Sequence, residues 1–443
     1  MAEDEGRIIK QEADYTEEVD ASLPIASSLA QDGKLDEAIE SLLPLEKKSR
    51  MAADMKSTSR ILVHIVTMCF EQQAWDKMLE NIVMLIKRRG QIKKAVTDMI
   101  RKVCEFIEQA PDKATKLKML DTVRTITAGK IHVENERARL TRELARIKEE
   151  EGNIAEAADV LQELQVETYG TMERREKVEF ILEQMRLCLA KHDYIRAQII
   201  SKKISTKFFK DESTHDLKLK YHRQMLQLAA HDRRYLDMCK HHRSIFDTPS
   251  VKADAEAAKK EFQSAVLYLV LAPYDNEQAD LIARVSEDPV LEDLPEAQSL
   301  LSVFTTDEVR PWRVFETQFA PFLRSTDVFA ATEQGEKQWS ELRDRIIEHN
   351  IRVMAMYYTR MRTSRMAELL DLTEKDAEKY LSRLVTLKTV YAKIDRPARV
   401  IVFKPKPKAN QVLNDWGSGL SHLMSLVDKA THLIQKERMV HQV

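Results

Sequence analysis

The stretch DGKLDEAIESLL at residues 32–43 returns in altered form along the chain. Its copies are QQAWDKMLENIV (72–83), EGNIAEAADVLQ (151–162), HDYIRAQII (192–200), DRRYLDMCK (232–240) and APYDNEQADLI (272–282). In each, polar turn residues precede one large apolar residue: Leu35, Trp75, Ile154, Tyr194, Tyr235 and Tyr274. The intervals between these anchors are 40, 79, 40, 41 and 39 residues, so a degenerate copy is expected near residue 115. Three and four places beyond stand Ala38 and Ile39, Met78 and Leu79, Ala157 and Ala158, Ala197 and Gln198, and Met238 and Cys239, all but Gln198 small or apolar. The copy at Tyr274 carries Glu277 and Gln278 there instead, and the pattern fades.

A forty-residue period of this kind reads as a stack of helix pairs. The turn ends one helix, and the anchor opens a second whose small residues let the first approach closely. One pair cannot bury both of its faces, so consecutive pairs stack into a TPR-like helical-repeat solenoid. The aromatic anchors Trp75, Tyr194 and Tyr235 are expected to fill equivalent buried positions. Charges along residues 134–151, with Glu136, Arg139, Glu143, Arg146 and Glu150 three or four apart, read as a solvated helix face.

Composition agrees with a mostly α chain. Of 443 residues, 43% are hydrophobic and 32% charged, enough for a substantial core. Only 9 are Gly, against the roughly 7% of an average protein. That shortage disfavours glycine-rich phosphate loops and nucleophile elbows. Seventy basic residues against 72 acidic give a net charge of -2, so no global field calls for nucleic acid or membrane. The longest apolar runs, near 61–70 and 265–274, are too short to span a bilayer. Residues 1–20 form an acidic tail with no apolar signal core. Cys69, Cys104, Cys188 and Cys239 are widely spaced and read as free buried thiols of a reducing compartment, cytosol or nucleus.

Near residue 364 the texture changes. SRMAELLDL (364–372) reads as a short helix, and Thr373 with Asp376 can cap the next, TEKDAEKYLSRLVTLK. That helix places Ala377, Tyr380, Leu381, Leu384 and Leu387 on one side. A long helix at 346–361 precedes them; strands VYAKI (390–394) and RVIVF (399–403) follow. Helix, helix–turn–helix and hairpin are the order of a winged helix. Its second helix opens on Glu374, Asp376 and Glu378, which would repel phosphate, so protein packing is favoured over DNA. After a stiff KPKPK spacer (404–408) come Leu413, Trp416, Leu420, Leu423, Val427, Ala430 and Ile434, in alternating steps of three and four. This is heptad spacing, read as a helix delivered to partner helices, sound from about Leu420 because Gly417 and Gly419 weaken its start.

No nucleotide, hydrolase or zinc-protease motif occurs, so neither a catalytic site nor a cofactor is expected. Five of twelve histidines crowd into 215–242, but only Cys239 with His242 has ligand-like spacing. Residues 86–102 hold seven basic residues and one acid without interleaved aromatics, a stripe suited to an acidic partner rather than to bases.

The order of these parts resembles the PCI-domain family, in which a right-handed helical-repeat array runs into a winged helix. The blocks VLQELQVETYG from Val160, KVEFILEQMRLCLA (177–190), QIISKKI (198–204), LAPYDNEQADL (271–281), EHNIR (348–352), YYTR (357–360), LNDW (413–416) and THLI (431–434) are similar to those of its proteasome-lid members. The similarity runs from about Arg7 to the C-terminus and is least at 311–335. It implies a non-catalytic scaffold, cytoplasmic and nuclear, in a hetero-oligomer with no nucleic acid or membrane partner. Its implied partners are other PCI lid subunits, the lid deubiquitinase, the ATPase ring and the core particle. Such winged helices associate edge to edge, and the terminal helices gather in a bundle. The implied domains are solenoid 21–230, PCI domain 231–403 with its winged helix from about 345, linker 404–411 and terminal helix 412–443. Two other readings stay open: a COP9 signalosome PCI subunit, and a winged-helix nucleic-acid binder using the basic stripe.

Overall fold

The computed structural model describes residues 13–404 and 409–441. The chain divides into two units between His231 and Asp232. The first holds α1 (Thr16–Gln31), α2 (Leu35–Met51), α3 (Met55–Glu71), α4 (Trp75–Lys87), α5 (Lys93–Glu108), α6 (Lys113–Thr127), α7 (Glu134–Glu150), α8 (Ile154–Gln162), α9 (Arg174–Ala190), α10 (Tyr194–Ser201) and α11 (His215–His231). The second holds α12 (Tyr235–Phe246), α13 (Pro249–Lys252), α14 (Ala255–Leu271), α15 (Asn276–Ser286), α16 (Pro295–Thr305), α17 (Trp312–Arg324) and α18 (Glu333–Tyr357). It continues with β1 (Arg360–Arg362), α19 (Thr363–Leu370), α20 (Glu374–Thr386), β2 (Lys393–Asp395), β3 (Val400–Val402) and α21 (Ala409–His441).

The repeat has a backbone cause. Leu35, Trp75, Ile154, Tyr194 and Tyr235 are each the first residue of a helix. Two places before each stands a residue with positive φ: Gly33, Gln73, Gly152, His192 and Arg233. In the first four turns its N–H and the next bond back to the ending helix, as in Lys34 to the Leu29 carbonyl at 3.1 Å and Asn153 to Lys148 at 3.0 Å. This left-handed cap stops one helix and aims the next. The two weak copies have a proline instead. Pro111 precedes α6, the degenerate copy, and Pro273 follows an extended Ala272 (ψ 141°), so α15 starts only at Asn276, capped by Asp275. Tyr274 therefore opens no helix.

The anchors differ in burial. Leu35 and Tyr235 are buried, whereas Trp75, Ile154 and Tyr194 are half-buried. Trp75 meets Phe70 edge-on at 5.5 Å, and Tyr194 stacks on His231 at 3.6 Å. The core lies just beyond the anchors, at Ala38, Met78, Ala157, Ala197 and Met238, each at most 4% exposed. Tyr235→Ala is thus expected to cost about 3–5 kcal/mol, and Tyr194→Ala markedly less, in urea unfolding of each variant. Equal losses would contradict this ranking.

Charges repeat with the helices. Asp20 pairs with Arg60, Asp36 with Lys77, Asp76 with Lys118, Arg101 with Glu136, Arg139 with Glu176 and Arg175 with Asp216, at 2.5–2.8 Å. Of the intrahelical pairs expected in α7, Arg146–Glu150 forms at 3.3 Å. Glu136, Arg139 and Glu143 instead bond Arg101, Glu176 and Lys116 on neighbouring helices. Each exposed pair contributes only tenths of a kcal/mol, so the pairs report register more than stability. Glu46 is different, being wholly buried against the Arg50 and Arg88 side chains and Gln91.

In the second unit, the long helix expected at 346–361 is α18, capped by Thr332 and running from Glu333 to Tyr357. A Cβ on Gly335 would lie 2.0 Å from the Ala330 carbonyl oxygen, so only glycine fits this first turn. Residues beyond Tyr357 turn extended because β1 pairs with β3, placing Met361 opposite Ile401. The sheet order is β1-β3-β2, all antiparallel, so the expected hairpin has a third strand. Thr373 caps α20, its Oγ1 accepting from the Asp376 N–H at 3.2 Å and donating to the Asp376 carboxylate at 2.7 Å. Ala377, Leu381 and Leu384 enter the core; Tyr380 is half-buried, and Leu387 faces out at 62% exposure because α20 ends at Thr386. Around 312–339, Trp339 meets Trp312 at 5.6 Å and Phe329 at 5.9 Å. The acidic stretch 1–20 is helical from Thr16, and Val19 is fully buried. Residues 405–408 of the KPKPK spacer lie outside the described residues.

Candidate assembly surface

The terminal helix α21 is 33 residues long, about 50 Å at 1.5 Å per residue. It runs unbroken through Gly417 and Gly419, so its turns begin well before Leu420. Two glycines cost about 2 kcal/mol of helix propensity, which a helix of this length absorbs. Every described side chain on it through Val440 is exposed. Leu413, Trp416, Leu420, Leu423, Val427, Ala430 and Ile434 share one face, with Leu420 at 42% the most covered of its large side chains and Trp416 at 66% the least. Leu426 and Leu433 broaden the stripe. An apolar stripe this long is larger than the scattered exposed apolar residues usual on a protein surface.

The winged helix offers a second surface. β1 and β2 are the edges of its sheet, each with one side unpaired in the described residues. At the start of α20 Glu378 pairs with Arg396 at 2.6 Å and Asp376 takes part in the cap, so the exposed Glu374 is the carboxylate left to repel phosphate there. The basic stripe at 86–102 is partly consumed within the chain. Arg88 bonds Glu46, Arg101 bonds Glu136 and Lys102 bonds Glu105, which leaves a weaker patch than the sequence count implies.

Several of the histidine and cysteine side chains are buried or already paired. Burial pushes the Cys69 thiol up to about 11 and those of Cys104 and Cys239 to about 12, so none is a ready nucleophile. Cys104 is only half-buried, packed against the edge of the core and lining a hollow between α5, α7 and α9. His242 Nδ1 lies 2.6 Å from Glu261 and so is spoken for away from Cys239. Burial holds His241 and His349 down at about 4. Both charge at about 6.5 once unfolded, so the unfolded chain binds more protons between these values and stability falls as pH drops from about 6.5 toward 4. Thermal unfolding at pH 7.5 and pH 5 is expected to show the second unit weakening by on the order of a few kcal/mol. A flat profile would contradict their neutral burial.

Stacked helix pairs, a three-stranded winged helix and an uncovered terminal helix define a PCI-type assembly subunit, and residues 317–405 match the PCI domain family. Residues 37–254 match the family "PSMD12/CSN4, N-terminal", and 410–442 match the "26S proteasome regulatory subunit RPN5 C-terminal domain". The chain is 43% identical over 434 residues to the 26S proteasome non-ATPase regulatory subunit 12 of Dictyostelium discoideum, covering 98% of this chain and 96% of that protein. It is 40% identical over 435 residues to the 26S proteasome regulatory subunit RPN5 of Saccharomyces cerevisiae, covering 98% of each. The chain belongs to the family of 26S proteasome regulatory subunit 12/RPN5. The N-terminal family joins PSMD12 with CSN4, whereas the terminal-helix match and these full-length relatives are named for the proteasome alone.

Proposed function

We infer that this chain is a non-catalytic assembly subunit of the proteasome regulatory particle lid, held there by its terminal helix. The observation that carries this reading is α21, exposed along its described length with a heptad seam of large apolar side chains. A helix of this kind gains stability only when partner helices close over the seam. The edges β1 and β2 would receive the winged helices of other PCI subunits by extending the sheet. The subunit would support the lid deubiquitinase and bear on the ATPase ring and core particle, in cytoplasm and nucleus, without chemistry of its own. No helix among the described residues is long and apolar enough to cross a membrane. Affinity purification of the tagged chain with mass spectrometry tests the assignment. Recovery of the other regulatory-particle subunits is expected; recovery of signalosome subunits in their place would overturn it.

A further inference from the structure

We propose that a cleft in the second unit, between α16, α18 and the segment before β2, binds a carboxylate side chain presented by an apolar segment of a partner polypeptide. The cleft has a volume of about 420 Å³ and is walled by Phe304, His349, Arg352, Met356 and Tyr391, with Tyr274 at its mouth. A smaller hollow of about 140 Å³ adjoins it through Tyr274, Phe304 and Arg352.

Arg352 is the reason for the assignment. Its guanidinium lies 3.7 Å over the Tyr274 ring, and Nη2 donates to His349 Nδ1 at 3.3 Å. Among the described residues no carboxylate stands within ion-pair distance of it. The obvious candidate is Glu348, four residues earlier on the same helix. Glu348 is committed elsewhere, 2.5 Å from Arg345 and 4.0 Å from Arg383. Asp307 stands at the exposed rim and does not close a pair. Burial among these aromatics pushes the guanidinium down to about 10, against the weaker opposing attraction of Glu348, which does not reach ion-pair distance. Its fork of donors matches a carboxylate in a way that a single carbonyl does not.

The rim argues for a polypeptide rather than a free anion. Tyr274, Met356 and Tyr391 are 43%, 60% and 44% exposed around the charge. A small anion would leave these surfaces wet, whereas a side chain flanked by apolar neighbours covers them while its carboxylate reaches Arg352. This site is separate from the seam on α21, so either can fail without the other.

The test uses the full chain and a displayed library of random seven-residue peptides, counter-selected on Arg352→Gln. Enriched peptides are expected to hold Asp or Glu at one fixed position between apolar residues. Converting that acid to its amide in a synthetic peptide should weaken binding at least about tenfold, the loss of one charge-assisted pair. Should Arg352→Gln fail to fold, Tyr391→Ala at the rim should lower affinity while leaving the melting temperature unchanged. Enrichment without a fixed acid, amide peptides that bind equally, or no enrichment at all would overturn the proposal. Inorganic phosphate that binds alone at micromolar concentration in calorimetry would assign the cleft to free anions and overturn it equally.

Discussion

A chain carrying Leu423→Asp together with Val427→Asp is expected to fold normally and yet be absent from the assembled complex. Both side chains lie on the heptad face of α21, at 55% and 49% exposure in the free chain. Since neither is covered, the substitutions remove no internal packing, and the melting temperature should stay within a degree or two of the parent chain's. In a helical bundle the same positions would be closed. Burial of each large side chain there is worth roughly 1.5–3 kcal/mol, and a desolvated carboxylate adds several more against association. Together these would reduce incorporation by on the order of a thousandfold or more. Thermal unfolding of the isolated variant, paired with co-sedimentation of the tagged chain with the other subunits, checks both halves. A large fall in melting temperature would mean that the helix packs on its own unit. Normal co-sedimentation would mean that the seam is not an interface.

Glu46→Ala is expected to be the most damaging single change in the first unit, costing about 3–5 kcal/mol. Glu46 sits on α2 with no exposed surface and gathers groups from two later segments. Arg50 Nε reaches it at 3.1 Å and Gln91 Nε2 at 3.2 Å, while Arg88 approaches from the end of α4. Arg50 also donates to the Arg89 carbonyl, so the cluster fixes the turn through Gly90 that leads to α5. Removing the carboxylate leaves two guanidinium groups, 14% and 21% exposed, without their counterion. Urea unfolding followed by hydrogen exchange should show the loss first in α2 to α5, because stacked repeats feel their neighbours most. A cost below about 1 kcal/mol would show that both arginines relax freely into solvent.

Much of this fold could be read in advance because its repeat is local. The anchor, the small residues after it and the turn before it lie within a dozen residues, and in four of the five helix-opening copies a Schellman turn enforces them. The rule at the turn itself is less legible. Gly33 and Gly152 announce a left-handed residue, whereas Gln73, His192 and Arg233 adopt the same conformation without announcing it. Proline marks the exceptions, and Pro273 is why Tyr274 serves a cleft and not a helix start. Strand β1 was hidden because its extended form comes from pairing with β3, a partner some forty residues away. The charges of α7 were legible as charges but not as bridges between helices. The seam of α21 was plain from spacing, since seven-residue periodicity needs no tertiary context. Arg352 lies in EHNIR at 348–352, yet only the three-dimensional position of Glu348, turned to Arg345 and Arg383, leaves it without an ion pair.

The most direct measurement of the central claim is amide hydrogen exchange over α21, Ala409–His441, in the free chain and in the assembled complex. A helix with no internal packing opens readily, so its amides should exchange within seconds to minutes in the free chain. Once partner helices close over Leu420, Leu423, Val427 and Ile434, exchange there should slow by several orders of magnitude while the winged-helix core changes little. Equal and fast exchange in both states would contradict the account, because the seam would then be as uncovered in the complex as it is alone.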